Sequence, residues 1–441
     1  MALAGAFMLG SAYLVHAELP SFPSTWNMSL STIIMPCNDS GLMQMQDIIG
    51  RYGIVDYDWS NAKQVWANAH PMNADEMLLQ QAKLSKAAAC PETCGGPDGC
   101  PAKNACPLAK VWVYRNLVKA LPWFTTVREK LEDPAYAGFF LKFSNATCAT
   151  TPACAKATYH VPSCDYNFDP PKCSPFYHDQ EQTPQHPTGD GSCLQPCDCG
   201  SVPCGEYLWD HRNGSMLTKF LADEVVGGEL GMGNANIDGL FMDDVWSTRG
   251  PSEEDRSSLT DMGLGSADVA ALVAGYDENM RVAKARILGD GGFNWQMFDV
   301  GHATNAGPTF SQKSCEAYLR GTACTATPLL QNQSLFFGFT RGKSPGALPA
   351  FDMDLASFLL TRGPYAWLGY SWIGCNDGSS KPIAYERPAM LDVDYGEPLG
   401  VCSETAPGSG IFRREWTQAT VTVDCKAWSS SVVFKSELVP G

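Results

Sequence analysis

The chain has 441 residues, 44% of them apolar and 18% charged, enough hydrophobic material for a large core, which excludes a disordered or collagen-like chain. Thirty-one Lys and Arg against 47 Asp and Glu leave a net charge of −16; such a surface repels phosphate backbones, so no nucleic-acid partner is expected. No stretch reaches the ~20 apolar residues of a membrane-spanning helix.

Residues 1–17 carry a short apolar run, LAGAFMLGSAYLV, that ends at Val15, His16 and Ala17, a small-residue pattern suited to signal-peptidase cleavage after Ala17. The basic start usual in a signal peptide is missing, and a first buried segment is the alternative. Short β-rich runs follow: Ser31 to Met35, Tyr52 to Trp59, Lys110 to Asn116, Glu206 to Asn213, Ile237 to Val245, Phe293 to Phe298, Ser334 to Thr340 and Pro364 to Trp372. Helical patterns lie between them. Met216, Leu217, Phe220, Leu221 and Val225 share one face, Val269, Leu272, Val273, Tyr276, Met280, Ala283 and Ile287 another, and a third centres on Leu355, Phe358 and Leu359.

Strands alternating with helices imply parallel pairing, because each crossover carries the chain back over the sheet. Eight candidate strands predict an α/β fold, a (β/α)8 TIM barrel over residues 18–375, although Ala137 to Phe143 would fit a ninth. Twelve of the 18 cysteines fall between Cys90 and Cys204 in Pro- and Gly-rich sequence. That composition buries little apolar surface, so disulfides are expected to hold an insertion at about 90–204, in an oxidising, extracellular setting. Zinc is the rival, but the paired CxxC spacing of a zinc ribbon is missing. Residues 376–441 read as a small antiparallel β-domain, since Phe412 to Phe434 alternates apolar and polar residues. Five Asn-x-Ser/Thr sequons, at Asn27, Asn38, Asn145, Asn213 and Asn332, suit the secretory route.

Barrel enzymes keep their working groups at the C-terminal ends of strands. The second run ends in Asp56, Tyr57, Asp58 and Trp59, the third in Arg115 and Asn116, the fourth in Asp210, His211, Arg212 and Asn213, and the fifth in Asp243 and Asp244. Two carboxylates flanking a glycosidic bond divide the work of protonating the leaving oxygen and attacking carbon or activating water. Adjacent strand residues start toward opposite faces, so Asp243 is paired with Asp58, and Asp244, Asp56 and Asp210 are held in reserve. A helix cap or structural ion pair is the alternative for each of these Asp. Arg115, Asn116, Asp210, Arg212 and Gln296 would hold sugar hydroxyls. Among the indoles in or after candidate strands, Trp59, Trp123, Trp246, Trp295, Trp367 and Trp372, most are expected in the core, and Trp295 and Trp372 are assigned to sugar stacking. His211 reads as a satisfied structural histidine. A further polar group, Tyr177, His178, Asp179 and Gln180, would sit in a loop at the mouth or on the surface. A glycan on Asn213 would obstruct a pocket, so either that site is unmodified or the fourth run does not end at the mouth. No phosphate loop, Rossmann glycine fingerprint, GxSxG elbow or HExxH spacing occurs, so no cofactor or metal is expected.

The segments STIIMPCNDSG, GIVDYDWSNAK, VWVYRNLVKALPW, YHDQEQTP, YLWDHRNGSML, IDGLFMDDVW, FLLTRGPYAWLGYSW, DYGEPLG and FRREWTQATVTVDC, in that order from about Ser31 to Cys425, resemble the glycosyl-hydrolase-like TIM-barrel proteins of eukaryotic secretory pathways. They are close to the group called hypothetical glycosyl hydrolase family 15. The resemblance implies a (β/α)8 barrel, a C-terminal β-domain and carbohydrate as partner, with Asp243, which ends the DGxFxD strand, as the catalytic suspect. It lacks a Glu at a later strand end, where Gln296 stands instead. Two functions follow as expectations: a secreted glycoside hydrolase, or a non-catalytic carbohydrate-binding or structural glycoprotein whose partners are other subunits of an extracellular assembly.

Overall fold

A computed structural model describes residues 26, 32–36, 38–43, 52–143, 163–165, 168–178, 198–251, 259, 262–296, 311–324, 334–338, 348, 350–363, 366–370 and 387–435. At 163–165, 294–296, 322, 334–338, 366 and 370 the description is of backbone alone. The fold is mixed α/β. Seven strands form one all-parallel sheet: β1 (Thr32–Ile34), β2 (Ile54–Tyr57), β3 (Lys110–Asn116), β4 (Gly239–Asp243), β5 (Phe293–Gln296), β6 (Ser334–Gly338) and β7 (Ala366–Tyr370). Their order is β5-β4-β3-β2-β1-β7-β6. β1 to β5 follow one another in chain order, β6 pairs with β7, and β7 returns to β1, which gives a parallel half-barrel. Among the described residues no ladder joins β5 to β6. β2 and β3 are buried at every position, as in a parallel sheet covered on both faces.

Seven of the eight expected strands are in this sheet; the run from Glu206 to Asn213 is not. Tyr207–Leu208 pairs antiparallel with Lys119–Ala120, just past β3. Asp210 then caps a single 3-10 turn, His211–Asn213, its side chain accepting from the Arg212 amide. Buried Trp209 stacks on Phe140 at 5.1 Å, so the run is apolar because it packs a layer beside the main sheet. Such a short apolar run reads the same in either place. The candidate ninth strand also belongs to that layer: Pro134–Phe139 is a 3-10 helix, and Phe140 and Lys142 make isolated bridges to Trp209 and Phe176.

The sheet's inner face is filled with aromatics. Trp112 and Phe293 stack at 4.7 Å and Phe293 meets Trp367 edge-on at 4.9 Å. The Trp112 indole crosses the strand at Gly239, where a Cβ would sit 2.5 Å from Trp112 Cδ1. On the other face lie helices α1 (Ala74–Ala89) and α4 (Ser266–Gly289), with α2 (Thr125–Glu132) packed beside α1 and α3 (Ser215–Phe220) beside α4. Tyr57 on β2 and Ser85 on α1 share a hydrogen bond of 2.9 Å. α4 buries Leu272, Tyr276, Met280, Ala283 and Ile287, the helical period expected of it. At the N-terminal ends of the strands buried Asp238 accepts from the Val111 amide at 2.8 Å and pairs with Lys86 at 2.5 Å, clasping β3, β4 and α1.

Disulfides close the cysteine-rich loops, Cys90–Cys106, Cys94–Cys100 and Cys199–Cys204. Two more, Cys315–Cys425 and Cys324–Cys402, fasten α5 (Gln312–Tyr318) and the turn after it to the C-terminal sheet. That sheet is antiparallel: β8 (Ser403–Glu404), β9 (Ile411–Glu415), β10 (Ala419–Asp424) and β11 (Ser429–Phe434), with β10 alternating as the sequence pattern predicts. It packs on α6 (Phe351–Thr361), where buried Arg414 donates to the carbonyls of Leu359, Leu360 and Arg362. No helix among the described residues is long and apolar enough to cross a membrane. The disulfides fit an extracellular protein.

Candidate functional site at the strand ends

Residues in register on neighbouring parallel strands face the same side of a sheet. Asp56 is in register with Trp112, Tyr114 with Phe241, and Asn116 with Asp243. Asp58, Tyr114, Asn116 and Asp243 therefore mark the inner face at the C-terminal ends of β2, β3 and β4. The Tyr114 hydroxyl lies among them on the central strand. It accepts from Asn116 Nδ2 at 2.9 Å. Burial, then the charges of Asp243, Asp244 and Asp58, hold its proton far above the ordinary phenol range. Of the five carboxylates named from sequence, Asp243, Asp244 and Asp58 are the ones whose charges raise this phenol's pKa.

Asp244 breaks the strand alternation. Its backbone turns left-handed, with φ 59°, a conformation non-glycine residues rarely adopt and Asp tolerates better than most. The side chain consequently swings back onto β3, where Asn116 Nδ2 donates to Asp244 Oδ2 at 2.7 Å. Lys119 Nζ lies 3.9 Å from the same oxygen and 2.5 Å from Glu206 Oε2. The Tyr276 hydroxyl donates to the Asp244 carbonyl at 3.2 Å. Asp243 is half-buried, and its Oδ1 accepts from the Asp244 amide at 2.9 Å.

Asp58 is only 2% exposed. Its carboxylate accepts from the Ser60 amide at 2.9 Å and from the Ser60 hydroxyl. Burial raises its pKa, while the Ser60 bonds and the Lys63 charge pull the other way. Beside it, half-buried Trp59 lies under Lys63 Nζ at 4.9 Å and meets Trp66 and Trp123. Asp56, one layer deeper, is fully buried, and burial together with the Asp58 charge holds its proton well above the usual carboxylate range.

Other residues named from sequence are not brought to this cluster. Arg115 is in register with Met242 on the helix-covered face, and its guanidinium donates to the carbonyls of Tyr114, Val225 and Leu230. Asp210 and Arg212 form an ion pair at 2.8 Å outside the sheet, with Arg212 also held by Asp268 at 2.7 Å. Asn213 lies with them, so the fourth run does not end at the strand ends. His211 is a buried core histidine that accepts from Asn279 Nδ2 at 2.8 Å and meets Tyr276 edge-on, but its buried Nε2 has no hydrogen-bond partner among the described residues, so it is only half satisfied. His178 stacks on Tyr207 at 4.6 Å in the insertion layer. Trp295 and Gln296 are placed by register only, opposite Phe241 and Met242. Trp372, Asp179, Gln180, Asn27, Asn145 and Asn332 lie outside the described residues.

Lys119, Glu206, Tyr114 and Tyr276 are the members of the cluster that sequence reasoning missed. Tyr114 carried a signal, since it shares strand parity with Asn116. Among the described residues no group of three His, Cys, Asp or Glu side chains comes together to hold a metal.

No known family matches the chain, and no curated protein does. One solved structure it is similar to is the sucrose 6F-phosphate phosphorylase from Thermoanaerobacter thermosaccharolyticum, at 8% identity and a TM-score of 0.45, covering 93% of this chain and 96% of that one. A likeness of that size identifies neither a family nor an activity.

Proposed function

We propose that the protein is a secreted glycoside hydrolase-like protein that acts on a poly- or oligosaccharide, and that its parallel half-barrel is part of a (β/α)8 barrel. The observation that supports this reading is that Asp58 and Asp243 follow on the same face at the ends of β2 and β4, with Tyr114 and Asn116 of β3 between them and Asp244 held there by Asn116. Glycoside cleavage needs one carboxyl kept protonated and another left ionised. Burial favours the protonated form of Asp58, which suits the general acid. Half-buried Asp243 would attack carbon or activate water, with Asp244 held beside it by the Asn116 amide. Trp295 and Trp372 would stack on sugar rings, with Asn116 and Gln296 holding hydroxyls. The test is Asp243→Asn in the secreted protein, assayed for reducing sugar on a panel of oligosaccharides. Loss of turnover with retained sugar binding is the expected outcome.

A second reading is favoured by one observation: Asp58 and Asp244 are both buried, and Oδ2 of each accepts local hydrogen bonds. On that reading the scaffold binds sugar, or builds an extracellular assembly, without cleaving anything. Sugar binding with no turnover in either wild type or Asp243→Asn selects it.

A further inference from the structure

We propose that Asn213 is an occupied N-glycosylation site and that the groove beside it is the bed of the chain's own first sugars. The inference does not depend on what happens at the strand ends. Asn213, Gly214 and Ser215 form a sequon. Asn213 is exposed and lies with Asp210 and Arg212, away from the Tyr114 cluster, so a glycan there leaves the strand ends open.

The local geometry suits the modification. Asn213 Nδ2 donates to the Gly138 carbonyl, and a Cβ on residue 138 would lie 2.6 Å from that nitrogen; only glycine lets the amide sit there. Attachment forms a bond from Nδ2 to the anomeric carbon of an oligosaccharide carried on a polyprenyl diphosphate. The bond from that carbon to the diphosphate breaks, the polyprenyl diphosphate leaves with the electron pair, and one amide proton passes to a base of the transferase. The remaining N–H still donates to Gly138, which fixes the direction in which the glycan leaves.

Asn213 itself lines a groove of about 430 Å³ whose wall includes Gly138, Lys142, Asp210 and Arg212. Arg212 is held by both oxygens of Asp210, at 2.8 and 2.9 Å, and by Asp268. A cation already neutralised in this way does not select an anion, whereas its polar edge suits a neutral polyhydroxy ligand. The other described sequon is different. Asn38 is half-buried, its Nδ2 donates to the Leu42 carbonyl at 3.1 Å, and the Ser40 hydroxyl of the same sequon donates back to Asn38 Oδ1 at 2.9 Å.

The protein secreted from eukaryotic cells is treated with peptide N-glycosidase in 18O water and its peptides are weighed. Asn213 is expected to appear as 18O-labelled aspartate and Asn38 as unlabelled asparagine; Asn213 recovered unlabelled overturns the site. Ser215→Ala removes the sequon and leaves the Gly138 bond. Acylation of exposed Lys142 by an N-hydroxysuccinimide ester is then expected to run several-fold faster than in the glycosylated wild type. Equal rates overturn the bed.

Discussion

Asn116 Nδ2 and Asp244 Oδ2 meet at 2.7 Å, a bond that ties the end of β3 to the residue just past β4. It exists only because Asp244 turns left-handed. Asn116 Oδ1 meanwhile accepts from the amides of Val118 and Lys119 at 2.8 and 2.7 Å, so the one side chain sets both the turn after β3 and the position of a site carboxylate. Asn116→Asp keeps the acceptor and replaces the donor with a second negative charge. The expected cost is ~1–3 kcal/mol at neutral pH, measured by urea denaturation. The loss should shrink in acid, where the introduced carboxyl regains a proton to donate.

Arg115 separates a structural from a ligand-binding role. It is buried, and its bonds go to backbone carbonyls on the helix side of the sheet. Arg115→Lys should destabilise the fold by ~2–4 kcal/mol, because one ammonium cannot reach the same carbonyls. Sugar affinity measured by calorimetry on the folded fraction should not change.

His211 predicts a pH dependence with a definite sign. Burial lowers its pKa to about 4, against small opposing effects of Leu117 and Asp210. The folded value lies below the ~6.5 of an unfolded histidine, so the unfolded chain binds the proton first. Stability conferred by neutral His211 is complete above pH ~6.5 and is lost as pH falls toward about 4, by ~3 kcal/mol in all. Denaturation midpoints between pH 7 and 4 should fall less steeply for His211→Gln than for wild type.

Cys315–Cys425 closes a loop of 110 residues between α5 and the end of β10. Replacing both cysteines by Ala should lower stability by ~2–5 kcal/mol through the freedom regained by the unfolded chain. The antiparallel sheet should keep its place, since Arg414 and the α6 carbonyls still hold it. Melting of the double variant under non-reducing conditions checks this.

The strands of the main sheet were legible because their β-rich runs are short, apolar and bounded by turns, and the C-terminal sheet because β10 alternates with period two. Tyr207–Leu208 was not, since a run buried in a side layer has the same composition as one buried in the sheet. Within the site, strand parity already separates Arg115 from Asn116, and Tyr114 follows from the same rule. The approach of Asp244 could not be read that way: a positive φ at one residue cancels the alternation on which the rule depends. Lys119 and Glu206 meet through an antiparallel ladder between segments far apart in the chain, which no local pattern announces.

The most direct measurement is the release of reducing sugar by the secreted wild type and by Asp243→Asn across a panel of oligosaccharides, with sugar binding followed in parallel. The account predicts turnover by the wild type, a loss of at least ~100-fold in the variant, in line with removal of an acid/base group, and sugar binding in both. Turnover by the variant equal to that of the wild type would contradict it.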